Sequence, residues 1–90
     1  MRITDVKISL RENDARLKAF VTVTLDDCFA VRGLRIISSA SRLFVAMPAR
    51  RKTDGKYQDI AHPIDVEARR MFEQEILAEY FRVTGEAAGA

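Results

Sequence analysis

The sequence predicts an α+β fold. It reads as one small domain in which an antiparallel β-sheet of about five strands, a meander plus a hairpin, is covered by a C-terminal α-helix. Three observations carry this prediction. Polar and apolar residues alternate with period two through much of the first half. Short stretches rich in Asp, Asn, Ser and Gly separate the alternating runs. After Pro63 the period changes, and apolar residues recur four apart almost to Gly85.

The first strand is expected over Thr4–Leu10, where Val6, Ile8 and Leu10 alternate with Asp5, Lys7 and Ser9. Arg11-Glu12-Asn13-Asp14 supplies a turn, because Asn and Asp bond their own backbone and tolerate left-handed conformations. In the second run Leu17, Ala19, Val21, Val23 and Leu25 share one face, with Lys18, Phe20, Thr22 and Thr24 on the other. Asp26-Asp27 is placed for a tight hairpin. The third strand is expected over Cys28–Ile37, with Cys28 in the core and a bulge near Gly33, where the alternation slips. Ser38–Ser41 is a polar connection, and Arg42–Met47 is a fourth strand stopped by Pro48. Ala49–Lys56 is a polar loop turning at Asp54-Gly55, and Tyr57–Ala61 returns as a short fifth strand. Together they read as a long hairpin with a basic tip.

For the helix, Asp65 is the expected N-cap and Glu67 complements the dipole. Phe72, Ile76 and Tyr80, joined by Ala68, Met71, Leu77 and Phe81, form a stripe wide enough to pack on a sheet. Gly85 ends the helix, and residues 86–90 are expected to fray. The domain is therefore set at residues 1–85, with 86–90 as a flexible tail.

Composition bounds the function. Apolar residues make up 48% of the 90 residues and charged residues 31%, too apolar a balance for a disordered chain. No apolar run approaches the roughly 20 residues of a membrane span, and the N-terminus lacks the apolar core of a signal peptide. The single Cys28 cannot form an internal disulfide, so a cytoplasmic protein is expected. A chain this short buries only roughly 60–65% of its extended surface, and self-association would help it.

The net charge of +2 hides a polarity. Charges cancel over residues 1–31, where five basic and five acidic side chains stand. Residues 32–56 carry Arg32, Arg35, Arg42, Arg50, Arg51, Lys52 and Lys56 against Asp54 alone, for +6. Residues 57–90 carry three basic and seven acidic side chains, for −4. A basic middle of this kind points to a polyanionic partner. Arg50, Arg51, Lys52 and Lys56 crowd a hairpin tip, where a phosphate backbone would relieve their repulsion and release counterions. Tyr57 beside them offers a ring for stacking. The plain alternative is a solvated loop charged for solubility. Arg35 and Arg42 would extend the basic surface, or would guard sheet edges against aggregation. Arg69 and Arg70 oppose the dipole of the helix they open, which invites either a binding role or an ion pair with Glu73.

Catalytic apparatus is not visible. His62 reads as a turn residue before Pro63, and no second His or Cys stands near enough in sequence to suggest zinc. Asp26-Asp27 is explained by its turn, and there is neither a Gly-rich phosphate loop nor a nucleophile elbow. The expectation is a protein that is not an enzyme, with no cofactor, no metal and no small-molecule substrate.

The block Leu43-Phe44-Val45-Ala46-Met47-Pro48-Ala49-Arg50-Arg51-Lys52-Thr53, then Asp54-Gly55, then Asp59-Ile60-Ala61-His62-Pro63-Ile64, closely resembles the SpoVG family of septation regulators, named for stage V sporulation protein G. Ile3-Thr4-Asp5-Val6 and the run Ala19–Leu25 resemble it too, so the likeness covers nearly the whole chain. The resemblance implies a homodimeric bacterial regulator of gene expression that binds DNA, and in some members RNA. It implies a sheet with a C-terminal helix, and phosphate contacts from Arg50, Arg51, Lys52, Arg69 and Arg70. The alternative is a protein-interaction module in cell-division control, whose basic loop docks on an acidic partner and whose acidic helix keeps nucleic acid away.

Overall fold

In a half-covered sheet, alternation decides which side chains meet the helix, and here it does so strand by strand. The computed structural model describes residues 1–11 and 14–85, and the expected tail, 86–90, lies outside the described residues. Strand β1 (Ile3–Leu10) pairs antiparallel with β2 (Leu17–Leu25), β2 with β3 (Phe29–Ser39), and β3 with β4 (Arg42–Ala46). Register sets Val6 beside Val23 and Ile8 beside Val21. It continues the apolar rows with Val21 beside Leu34, Ala19 beside Ile36, and Ile36 beside Val45. Helix α1 (Val66–Thr84) lays Phe72, Ile76 and Tyr80 on these rows, and together they form the buried core.

The turns follow residue chemistry. Asp26 and Asp27 have φ of 50° and 57°, and the Cys28 amide donates to the Leu25 carbonyl at 3.0 Å. Two positive φ values make the tight turn whose twist matches that of paired strands, and Asp tolerates them. The Arg2 amide donates to Asp26 Oδ1 at 3.0 Å, and Asp27 donates to Thr4 Oγ1 at 3.0 Å, which ties the start of β1 to this turn. Between β1 and β2, Asp14 Oδ1 accepts from the amides of Arg16 and Leu17, both at 2.9 Å. The expected bulge is present: Val21 pairs with Leu34 but Val23 with Val31, and Gly33 takes φ of 85°.

Three details differ from the sequence-based expectation. Cys28 is exposed, because the two-residue turn ends on it and β3 begins one residue later. Ser38 and Ser39 belong to β3, so the connection to β4 is only Ala40 and Ser41, with φ of 51° and 66°. The fourth strand does not run on into the basic hairpin. Pro48 lacks the N–H that would extend a ladder, and both Met47 and Pro48 are buried. Beyond them β5 (Ala49–Arg51) and β6 (Tyr57–Asp59) form their own two-stranded sheet.

The helix ends are as the sequence predicts. Asp65 Oδ1 accepts from the Ala68 amide at 2.7 Å, and the amide of Gly85, at φ of 77°, donates to the Phe81 carbonyl at 2.8 Å. The first turns of α1 lie beside Arg42 at the start of β4, and its last turns lie beside Ile3–Val6 of β1. The helix therefore crosses the sheet diagonally from one edge to the other.

Candidate nucleic-acid interface

The basic loop is a stalk of two short strands carrying a closed tip. Ala49 pairs with Asp59, Arg50 with Gln58 and Arg51 with Tyr57. Neighbouring residues of a strand face opposite ways, so Arg50 and Arg51 point to the two sides of the hairpin. The tip is built by backbone: Lys52 donates to the Lys56 carbonyl at 2.7 Å, and Gly55 to that of Lys52 at 3.0 Å. Asp54, the lone carboxylate of the tip, accepts from the Lys56 amide at 2.9 Å. Gly55 has φ of 85°, and the Arg51 guanidinium lies 3.8 Å from where a Cβ on it would stand. Arg51 thus arches back over the turn. Every residue from Arg50 to His62 is exposed, Tyr57 at 68%.

Arg35 stands at the root of this arm. It pairs with Ala46 at the end of β4, and its guanidinium donates to the Met47 carbonyl at 3.1 Å. That bond fixes the half-buried side chain where the chain leaves the main sheet. Arg42, Arg69 and Arg70 gather elsewhere. They line one open cleft of about 520 Å³ with Pro63, Ile64, Val66 and Glu73. Arg42 opens β4 and the arm follows its other end, so the cleft and the arm's root are separated by about 13 Å along the strand. The eight candidate residues therefore form two groups along one edge: Arg50, Arg51, Lys52 and Lys56 with Arg35 at their root, and Arg42 with Arg69 and Arg70.

Asp65 and Glu73 share the cleft with these arginines, and three further acidic residues stand elsewhere. Asp5, Glu75 and Glu79 line a second cleft of about 470 Å³ against β1, at the other end of the helix. Glu79 there accepts from Arg82 through both carboxylate oxygens, and that bond holds its carboxyl below the ordinary range and the guanidinium above it. Among the described residues this is the one ion pair, so neither Arg69 nor Arg70 is bridged to Glu73. His62 is exposed, and its Nδ1 donates to the Pro63 carbonyl at 3.0 Å.

One cationic contact escaped the sequence reading. The Arg11 guanidinium lies 5.4 Å from the centre of the Phe20 ring, on the sheet face that α1 does not cover. Strand alternation sets Phe20 opposite the core, but which cation reaches it depends on cross-strand register.

The SpoVG family model matches residues 1–82, from β1 through almost all of α1. The chain belongs to the SpoVG family. It is 52% identical over 82 residues to the SpoVG protein of Anaeromyxobacter sp. (strain Fw109-5), an alignment covering 91% of this chain and 84% of that one. With SpoVG of Myxococcus xanthus (strain DK1622) the identity is 50%, covering 91% and 82% of the two chains. With SpoVG 2 of Listeria monocytogenes serotype 4b (strain F2365) it is 44%, covering 100% and 88%. These SpoVG relatives are named as septation proteins, and the family match spans the arm, its root and the arginine-lined cleft.

Proposed function

We propose that this SpoVG-family protein is a nucleic-acid-binding regulator connected with septation, holding phosphates on its protruding basic arm and acting as a homodimer in the cytoplasm without cofactor or catalysis. The observation that carries the reading is the arm itself. Four cations stand on an exposed hairpin whose one tip carboxylate is engaged with backbone. Arg favours phosphate, because its planar fork holds two oxygens at once. The cleft of Arg42, Arg69 and Arg70 supplies a second group of donors along the same edge. Glu75 and Glu79, which would repel a polyanion, lie at the opposite edge, while Asp65 and Glu73 line the arginine cleft itself. Self-association is supported by the chain between arm and helix, where Ile60, Ile64 and Val66 are exposed, Ile64 at 92%.

The test is binding to duplex as a function of salt. If about four phosphates are neutralised, log K falls against log salt with a slope of about −3.6. Replacing Arg50, Arg51 and Lys52 together by Ala removes most binding and leaves the circular dichroism unchanged. Affinity indifferent to salt, or undiminished in the triple variant, would refute the reading. The acidic cleft beside β1 favours a second one, an interaction module in division control. Failure to shift duplex, single-stranded DNA or RNA at low salt would select it.

A further inference from the structure

The face of the main sheet turned away from α1 is not a neutral surface. Its central row, read across the paired strands, is Ser9, Phe20, Arg35 and Ala46. Phe20 is 38% exposed with the Arg11 guanidinium over its ring, and Phe44 stands on the same face two strands away, on β4. Lys7 is on this face by register, and Arg42, which also lines the cleft beside α1, stands at its edge. Among the described strand residues its one carboxylate is Asp5, about 13 Å along the sheet from Phe20. Asp14, near Arg11, is taken up by the amides of Arg16 and Leu17. The row ends at Ala46, where Arg35 is bonded to the Met47 carbonyl and the basic arm departs. Rings, cations and the arm thus form one continuous track.

We infer that this face is a stacking platform for single-stranded nucleic acid, with a base on Phe20 and the neighbouring phosphates on Arg11 and Arg35. The inference rests on the proposed binding function and adds a site and a strandedness to it. A duplex hides the faces of its bases in its own stack, whereas a single strand exposes them. An exposed ring flanked by guanidinium groups suits the single strand. Phe20 is central, because β2 lies inside the sheet and Arg35 directly neighbours it. On binding, the base takes the ring face that Arg11 covers in the free protein, and Arg11 turns to the phosphate.

The test uses the full chain and labelled ~12-nucleotide oligo(dT) and oligo(U), with a duplex of the same length as control. Phe20→Ala weakens single-strand binding by about tenfold and leaves the duplex affinity within about twofold. Phe20→Trp restores single-strand binding, and because the chain has no Trp, its emission reports the site alone and is quenched by the strand. Equal single-strand affinity of Phe20→Ala and wild type overturns the inference, as does emission unchanged at saturating oligo(dT) and oligo(U). So does a change of molecular mass in Phe20→Ala without a change in affinity, which would make the face a contact between copies. Should the wild type bind neither strand nor duplex, the proposed function itself fails. Should duplex binding persist while the Phe20 variants behave as wild type, only the platform is lost.

Discussion

Gly33 shows how a single residue sets what its neighbours can do. Its φ of 85° lets β3 carry an extra residue against β2, so that Val31 and Leu34 both meet the core face on either side of the bulge. A Cβ at this position would meet the Pro48 Cβ at 3.7 Å, an ordinary contact. Space therefore does not forbid a side chain, and the backbone does. Gly33→Ala is expected to cost about 1–2 kcal/mol in urea unfolding, and an unchanged midpoint would contradict the account. The bulge was legible because alternation slips at a glycine, and Asp65 and Gly85 were legible because caps act within a few residues. Cys28 was misread for the opposite reason. Its apolar neighbours suggested a strand, yet both residues of the turn before it are Asp in the left-handed region, and that tightness leaves Cys28 outside. Arg11 over Phe20 was not legible at all, since it joins a residue just past the end of β1 to one inside β2.

At the scale of elements, the helix and the meander depend on each other far more than either depends on the arm. Ile76 is fully buried between Phe72 and Tyr80 on the stripe that faces Val21, Leu34 and Ile36. Ile76→Ala should cost about 2–5 kcal/mol, because a cavity is left where the sheet cannot collapse onto the helix. Val83→Ala, on an exposed position of the same helix, is the control and should move the urea midpoint little. The period of four was sufficient to read this element from sequence, and the paired rows of the meander followed from the period of two. The arm was harder to delimit. Arg42–Met47 reads as one apolar run up to Pro48, but that run divides between a strand of the main sheet and the buried Met47-Pro48 link. The Pro48 carbonyl instead accepts from Ile60 at 2.7 Å, closing the base of a separate hairpin.

For the whole molecule, part of the charge is sorted in space. The two basic groups share one edge, and Asp5, Glu75 and Glu79 occupy the other. The sequence showed a basic middle and an acidic last third, but not that a diagonal helix would carry Arg69 and Arg70 to the first edge and Glu75 and Glu79 to the second. The proposed homodimer belongs to this scale. Light scattering is expected to give twice the chain mass, and Ile64→Asp, which places a charge on the most exposed apolar side chain, should return the mass of one chain. A wild-type mass of one chain at high concentration would refute the dimer. The exposure of every residue from Arg50 to His62 has a further consequence, for how such proteins diverge. Substitutions at exposed sites usually shift stability by no more than about 0.5 kcal/mol, whereas those at Leu34 or Ile76 strike the core. Apart from Gly55, at φ of 85°, the scaffold therefore does not dictate the arm's side chains, and it is what the arm touches, rather than packing, that gives their identity its weight.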